Sequence, residues 1–404
     1  ARTIRVLMLS LALVLGAAAL AEARALRTLP APAAPDEVIL KFKPGADPGN
    51  RGRVLAGLGA TESIPLGRTG ALLVRLAAPN AAVAVARHAA DPALAYIEPN
   101  LVYAAALVPN EAWFAQQWSL LNTGQTGGTP GVDLNATAAW DLATGLPSVV
   151  IGVIDSGIDL AHPDLAANLY VNPDEIPGNG IDDDGNGFVD DVHGWDFVND
   201  DNDPQDDNGH GTFMAGIAGA VANNGVGIAG VSWRVSLLPI KILDDMGLGT
   251  TADAIRALDY AVTMGAPITN NAWGGGAFSQ ALLDAIVAAE QAGVVFVASA
   301  GAESLDLDVH PVYPASYATE GVVAVAASDH DDLLAASSNY GDETVDLAAP
   351  GVGILTTQPG ATYTTISGTS AATAHVCGAL ALVLTRFPQA TGLRAARHLL
   401  DHAE

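Results

Sequence analysis

A continuous apolar run, Val149–Ile154, suits a strand buried on both faces. The runs at Ser236–Ile242, Ile268–Ala272, Val294–Ala298 and Val322–Ala327 read the same way. Helix-like segments lie between them at Thr212–Ala222, Thr251–Thr263 and Gln280–Gln291. Strand and helix alternate, which predicts an α/β domain with a mostly parallel sheet. A longer apolar run, Val376–Leu384, reads as a buried helix entered through the small-residue turn Gly368-Thr369-Ser370.

The pattern differs upstream. Glu37–Phe42 alternates like a strand, Arg53–Leu58 suits a helix and Ala71–Leu76 a second strand. A helix over Val83–His88 and a strand over Ala95–Asn100 complete a small α+β unit at 36–104. Leu101–Asn110 is an apolar joint without a pattern, so the larger domain is placed at 105–404. At the front, Arg2 and Arg5 precede the uncharged run Val6–Leu20 and the small-residue site Ala21-Glu22-Ala23. Basic, apolar, then small residues predict a secretory signal peptide at 1–23, followed by an Ala/Pro-rich linker at 24–35. A membrane anchor is the competing reading. The run is short for a span and no second one follows, so no stable anchor is expected and the product is secreted or extracytoplasmic.

Charge sharpens this picture. The formal net charge is -27, and half of the 404 residues are hydrophobic, enough for a large core. Residues 1–105 carry 11 basic and 7 acidic side chains; the remainder carries 6 and 37. So acidic a body excludes a nucleic-acid partner, which needs a basic surface. The acids serve solubility or hold cations. In Asp182-Asp183-Asp184-Gly185-Asn186-Gly187-Phe188-Val189-Asp190-Asp191, oxygens recur at Asp182, Asp184, Asn186 and the Phe188 carbonyl. That is the spacing of the first half of an EF-hand loop. The twelfth position is His193 rather than Glu, so Asp190 or Asp191 would complete the shell. A solvated acidic turn is the alternative, but packed carboxylates repel, and structural Ca²⁺ is expected. The run Asp200–Asp207 is assigned no ion. The one cysteine, Cys377, excludes an intrachain disulfide and sits in the apolar helix as a packing residue.

Three residues carry the candidate chemistry. Asp155 ends the first buried strand, where α/β sites gather. His210 stands between two glycines as a small-residue helix begins. Ser370 is at a helix start, as a cap or as a nucleophile beside oriented N–H groups. Together they supply the nucleophile, the base and the carboxylate that orients it. The order Asp, His, Ser and the surrounding motifs resemble the subtilisin-like serine peptidases, the subtilases. The matching stretches are Val153–Asp159 with His162-Pro163-Asp164-Leu165, Gly209-His210-Gly211-Thr212 and Gly368-Thr369-Ser370. An α/β-hydrolase would need Gly-x-Ser-x-Gly and another order, and has neither here.

The resemblance implies a three-layer α/β/α fold, polypeptide substrates cleaved through an acyl-enzyme, and a monomer. It makes the 36–104 unit an inhibitor-type propeptide, through Lys41–Gly45 and Tyr96–Asn100, that plugs its own enzyme until it cuts itself off. Asn271, Ala272, Trp273 and Gly274 match the strand that binds substrate, and Ala300 and Gly301 the facing wall of the first specificity pocket. Ser370 N–H and the Thr369 hydroxyl would serve the oxyanion. Ala302 stands where the family has an amide-bearing Asn. Phe213-Met214, Ala371, Ala374 and Cys377 also depart from the family pattern. Two readings stay open: a serine endopeptidase of lowered turnover, or a pseudo-peptidase that binds calcium and peptides without cleaving them.

Overall fold

The computed structural model describes residues 5–6, 33–101 and 107–403. The expected signal peptide at 1–23, apart from Arg5–Val6, which lie parallel to Leu347–Ala348, falls outside these, as do residues 24–32 of the expected linker, whose residues 33–35 instead open a strand. Residues 102–106 of the expected joint fall outside them as well. Among the described residues, no helix is long and apolar enough to cross a membrane. The chain divides into two compact units, one within 21–105 and one holding 106–404.

In the smaller unit, β1 (Ala33–Phe42), β2 (Ala60–Pro65), β3 (Ala71–Leu76) and β4 (Leu94–Leu101) form an antiparallel sheet in the order β2-β3-β1-β4. Helices α1 (Pro48–Gly57) and α2 (Ala81–His88) supply Val54, Ala81 and Ala84 to its core, against Val38, Leu40 and Val74. The first helix starts five residues before the Arg53 that periodicity suggests. Asp47 accepts the Asn50 N–H at 3.0 Å as its cap, and Pro48 fits the first turn. Strand β2 has no sequence signal, because most of its residues are exposed and its side chains do not alternate cleanly.

The larger unit is built on β5 (Gly145–Asp155), β6 (Trp195–Asp196), β7 (Arg234–Lys241), β8 (Ile268–Asn271), β9 (Val295–Ser299), β10 (Val322–Ser328) and β11 (Leu347–Pro350). All seven are parallel, in the order β11-β10-β9-β8-β5-β7-β6. Their alternating side chains feed two cores. Val153, Val295, Val297, Val323 and Val325 face one side; Ile154, Phe296, Ala298, Ala324 and Ala326 face the other. Burial on both faces is why these strands read as continuous apolar runs.

Helices α5 (Thr251–Thr263) and α6 (Gln280–Gln291) cover one face. The other face takes α4 (His210–Gly219), α7 (Thr369–Arg386) and α8 (Gly392–His402), with the short α3 (Ala136–Trp140) in the same core. The result is the three-layer α/β/α arrangement. Helix α7 is buried almost all round from Thr369 to Leu384, so its sequence shows no amphipathic stripe. A hairpin of β12 (Ile354–Gln358) and β13 (Thr362–Ile366) leads into it.

Candidate active site

Asp155 is fully buried at the end of β5, in register with Lys241. Its Oδ1 accepts the Ser156 N–H at 2.8 Å. His210 opens α4. Its Nδ1 lies 2.8 Å from Asp155 Oδ1 and 3.0 Å from Oδ2. An ionised carboxylate only accepts, so Nδ1 carries the proton and Nε2 is left as the acceptor. Burial works against charging the ring. The field and hydrogen bond of Asp155, with the field of Asp206 behind it, outweigh burial and hold the imidazole above its ordinary pKa.

The close approach of α4 to this strand end needs glycine at 211. A Cβ there would lie 2.0 Å from the Gly157 carbonyl oxygen. The helix cap, Gly209, has no side chain to satisfy the first-turn N–H groups. Two upstream side chains do so instead. Ser156 Oγ accepts the Gly211 N–H at 2.9 Å, and Asp206 Oδ2 accepts the Thr212 N–H at 2.9 Å and its hydroxyl at 2.5 Å. Asp206 Oδ1 takes the Ser156 hydroxyl, at 2.9 Å, and the N–H groups of Asn208 and Gly209.

Ser370 is the second residue of α7 and half-buried. Its hydroxyl donates to the Ala272 carbonyl at 3.1 Å. Among the described residues it makes no hydrogen bond to His210. Thr369 Oγ1 accepts the Gly301 N–H at 3.1 Å, so its own proton remains to donate. Ala302 is exposed and offers only a methyl group. The loop around it is held from behind by buried Asn339. The Nδ2 of Asn339 donates to the Ala300 carbonyl, and its Oδ1 accepts the N–H groups of Glu303 and Leu305.

The other substrate-wall residues fall unevenly. Asn271 is buried and turns its amide nitrogen back on Thr269. Trp273 and Gly274 line a cavity of about 230 Å³ with Ile242, Leu248, Leu282 and Tyr313. Ala300 is buried and its N–H donates to Val325. Packing settles one further departure, Cys377, and its neighbour His375. Cys377 is fully buried with its thiol toward Asn270, and burial pushes its pKa up. His375 is locked between the Ala371 carbonyl and Ser119 Oγ, and burial takes it down to about 4.

The acidic loop is arranged differently from its spacing. Asp182 caps the N–H groups of Gly185, Asn186 and Gly187, and Asp190 those of Asn179 and Gly180. The ring of Phe188 packs among Trp195, Phe197 and Tyr260. The carboxylates brought together are Glu175, Asp184 and Asp191, with ligand atoms all within 4.8 Å. Asn172 and Asn186 both donate to Asp184 and Asp191. Glu175 Oε2 is buried with no hydrogen-bond partner, and none of the three is in an ion pair among the described residues. Burial raises the Asp191 pKa, the sign of a buried carboxylate short of positive charge. Three hard oxygens with an orphaned lone pair fit a divalent cation of the calcium type. Glu175 lies seven residues before the loop, and only the fold brings it in.

Comparison with known proteins agrees with this architecture. The subtilase family matches residues 147–404. Thermitase of Thermoactinomyces vulgaris is 38% identical over 263 residues, 65% of this chain and 84% of that one. The thermophilic serine proteinase of Bacillus sp. (strain AK1) is 35% identical over 351 residues, 87% of this chain and 78% of its own. Subtilisin-like protease 1 of Plasmodium falciparum is 34% identical over 273 residues, 63% of this chain and 40% of that protein. With the parallel sheet and the Asp, His, Ser order already in place, a match over most of the chain leaves one assignment: the protein belongs to the subtilase family.

Proposed function

We propose that this chain is a secreted serine endopeptidase, made with a signal peptide at 1–23 and as a zymogen whose 36–104 unit is an inhibitory propeptide. The observation that carries the reading is the hydrogen bond from His210 Nδ1 to buried Asp155 at 2.8 Å, with Nε2 left as acceptor. In the reaction the Ser370 hydroxyl leaves the Ala272 carbonyl, gives its proton to His210 Nε2 and attacks the substrate carbonyl. Asp155 holds the tautomer and stabilises the imidazolium. Ser370 N–H and the Thr369 hydroxyl receive the oxyanion. His210 then protonates the leaving amine, and water releases the acyl group. The apolar cavity beside Trp273 would take an apolar substrate side chain.

The test is covalent. A fluorophosphonate probe on the full chain should add its mass to the tryptic peptide holding Ser370. A folded chain that takes up no probe sinks the reading and leaves the pseudo-peptidase. That second reading draws on the methyl group of Ala302 and on the Ser370 hydroxyl turned onto Ala272.

The pH profile follows from the raised imidazole pKa. Neutral His210 is the base, so kcat/KM should climb with pH through a limb above the ordinary histidine value. The stability linkage runs the other way. The stabilisation that His210 contributes is full below the ordinary imidazole pKa and is lost as pH rises through the raised one. A limb lying below the ordinary value in a kcat/KM titration counts against the assigned role.

Calcium is proposed as a structural ion held by buried Glu175 and Asp191 and exposed Asp184, where it neutralises the two buried carboxylates and ties the loop to α5 through Tyr260, whose hydroxyl donates to Asp191 at 2.7 Å. At a thousand times Kd an ion bound only by the folded state adds about 4 kcal/mol. Calorimetry with calcium and then with chelator should therefore show a fall in Tm on the order of 10 °C. Asp191→Asn should abolish the difference. A Tm indifferent to both ions and chelator removes the site.

A further inference from the structure

We infer that Asp206 is a positioning residue for the reaction: a second buried carboxylate that docks the N-terminus of α4 onto the Asp155 strand end and offsets the helix field at His210. The inference rests on the peptidase reading above. It starts from a conflict. His210 is the first residue of a helix, where the macrodipole disfavours a positive charge. Yet an imidazolium must form at that place in each transition state. Asp155 answers part of this, but it lies on the other side of the join, on β5.

Asp206 supplies the rest. It is 5% exposed and its two oxygens accept five hydrogen bonds, from Ser156 Oγ, Asn208 N, Gly209 N, Thr212 N and Thr212 Oγ1. Three of these donors belong to the start of α4 or its cap, where Gly209 has no side chain of its own. Ser156 is the neighbour of Asp155, and its hydroxyl bridges Asp206 to the Gly211 N–H. One carboxylate thus fixes the distance between the base and the residue that orients it. Its field also adds to that of Asp155 at the imidazole.

The other charges nearby are committed elsewhere. Lys241, 1% exposed, gives its ammonium to Asp207 at 2.6 Å and to the Ser156 and Leu243 carbonyls. Asp159 accepts the N–H groups of Ala161 and Gly360. From α4 itself the nearest ring is that of Phe213, which is uncharged, 6.5 Å from the imidazole.

The experiment separates charge from scaffold and works whether or not the chain turns over. In the full chain carrying Ser370→Ala, the His210 imidazole is titrated by NMR, its signal assigned with His210→Ala. Adding Asp206→Asn, which removes the charge and replaces one of the two accepting oxygens by a donor, should lower the His210 pKa by roughly half a unit or more. A pKa unchanged within about 0.2 unit overturns the electrostatic role. In the active chain, Asp206→Asn should cut kcat about tenfold with KM little changed, and carry the acid limb of kcat/KM to lower pH. Ser156→Ala breaks the bridge but keeps the charge. It should lower kcat severalfold and leave the limb in place, and it serves if Asp206→Asn does not fold. Unchanged kcat in Ser156→Ala overturns the docking role. A parent chain that no fluorophosphonate labels defeats the peptidase reading, while the titration still decides the effect of Asp206.

Discussion

Ser370→Ala should leave the chain from Arg24 uncut, while the parent sheds about 80 residues, the cut falling in the joint at 101–110. Mass spectrometry of the two products, expressed with calcium, reads this directly. The substitution removes one oxygen from a half-buried position whose hydroxyl, among the described residues, bonds to the Ala272 carbonyl, so folding should be nearly untouched. Peptide turnover should fall by about 10⁴–10⁶, because histidine and aspartate without a nucleophile contribute almost nothing on their own. Identical processing of parent and variant would place the cutting in another protease. No processing in either, with both folded, would leave peptide binding as the function.

Ala302→Asn should raise kcat by at least about tenfold and up to about 10³, the range associated with one oxyanion donor. The position is exposed, so the longer side chain displaces nothing in the core. The loop is already fixed by Asn339 on one side and by the Thr369 hydroxyl on the other. An amide there would act only on charge that develops in the transition state, so KM should stay close to that of the parent. A variant that binds the same peptides and turns over no faster would show that Thr369 and the Ser370 N–H already suffice.

The parts legible in the sequence were those with a strong local signature. Strands buried on both faces announce themselves as apolar runs, and Asp155, His210 and Ser370 each sit in a short motif beside a strand end or helix start. Helix α7 was found by its core but starts at Thr369, because Gly368 and the small residues after it carry no periodicity. The hairpin β12–β13 and the strand β2 were not visible, since their side chains are largely polar or half-exposed. The acidic loop showed a ligand spacing that the fold partly uses for something else. Asp182 and Asp190 hold backbone N–H groups, and Glu175 enters from outside. Asp206 was hidden in a run of acids. What distinguishes it is the set of donors around it, and those come from both sides of the site.

The all-parallel sheet has a consequence for how the protein comes to be folded at all. Strand β5 must find β7 and β8, which begin about 80 and 110 residues after its own last residues. No hairpin can nucleate such pairings, so loop-closure entropy is spent before any ladder bond forms. Helix α7 then has to pack onto a sheet that is itself assembled from distant segments. Folding should accordingly be slow. The same topology slows the reverse step, because α7 cannot be withdrawn without opening the core on its face of the sheet. For the endopeptidase proposed above, which would meet active copies of itself, a long unfolding half-life would protect better than a deep free-energy minimum, since an opened chain is the one most readily digested.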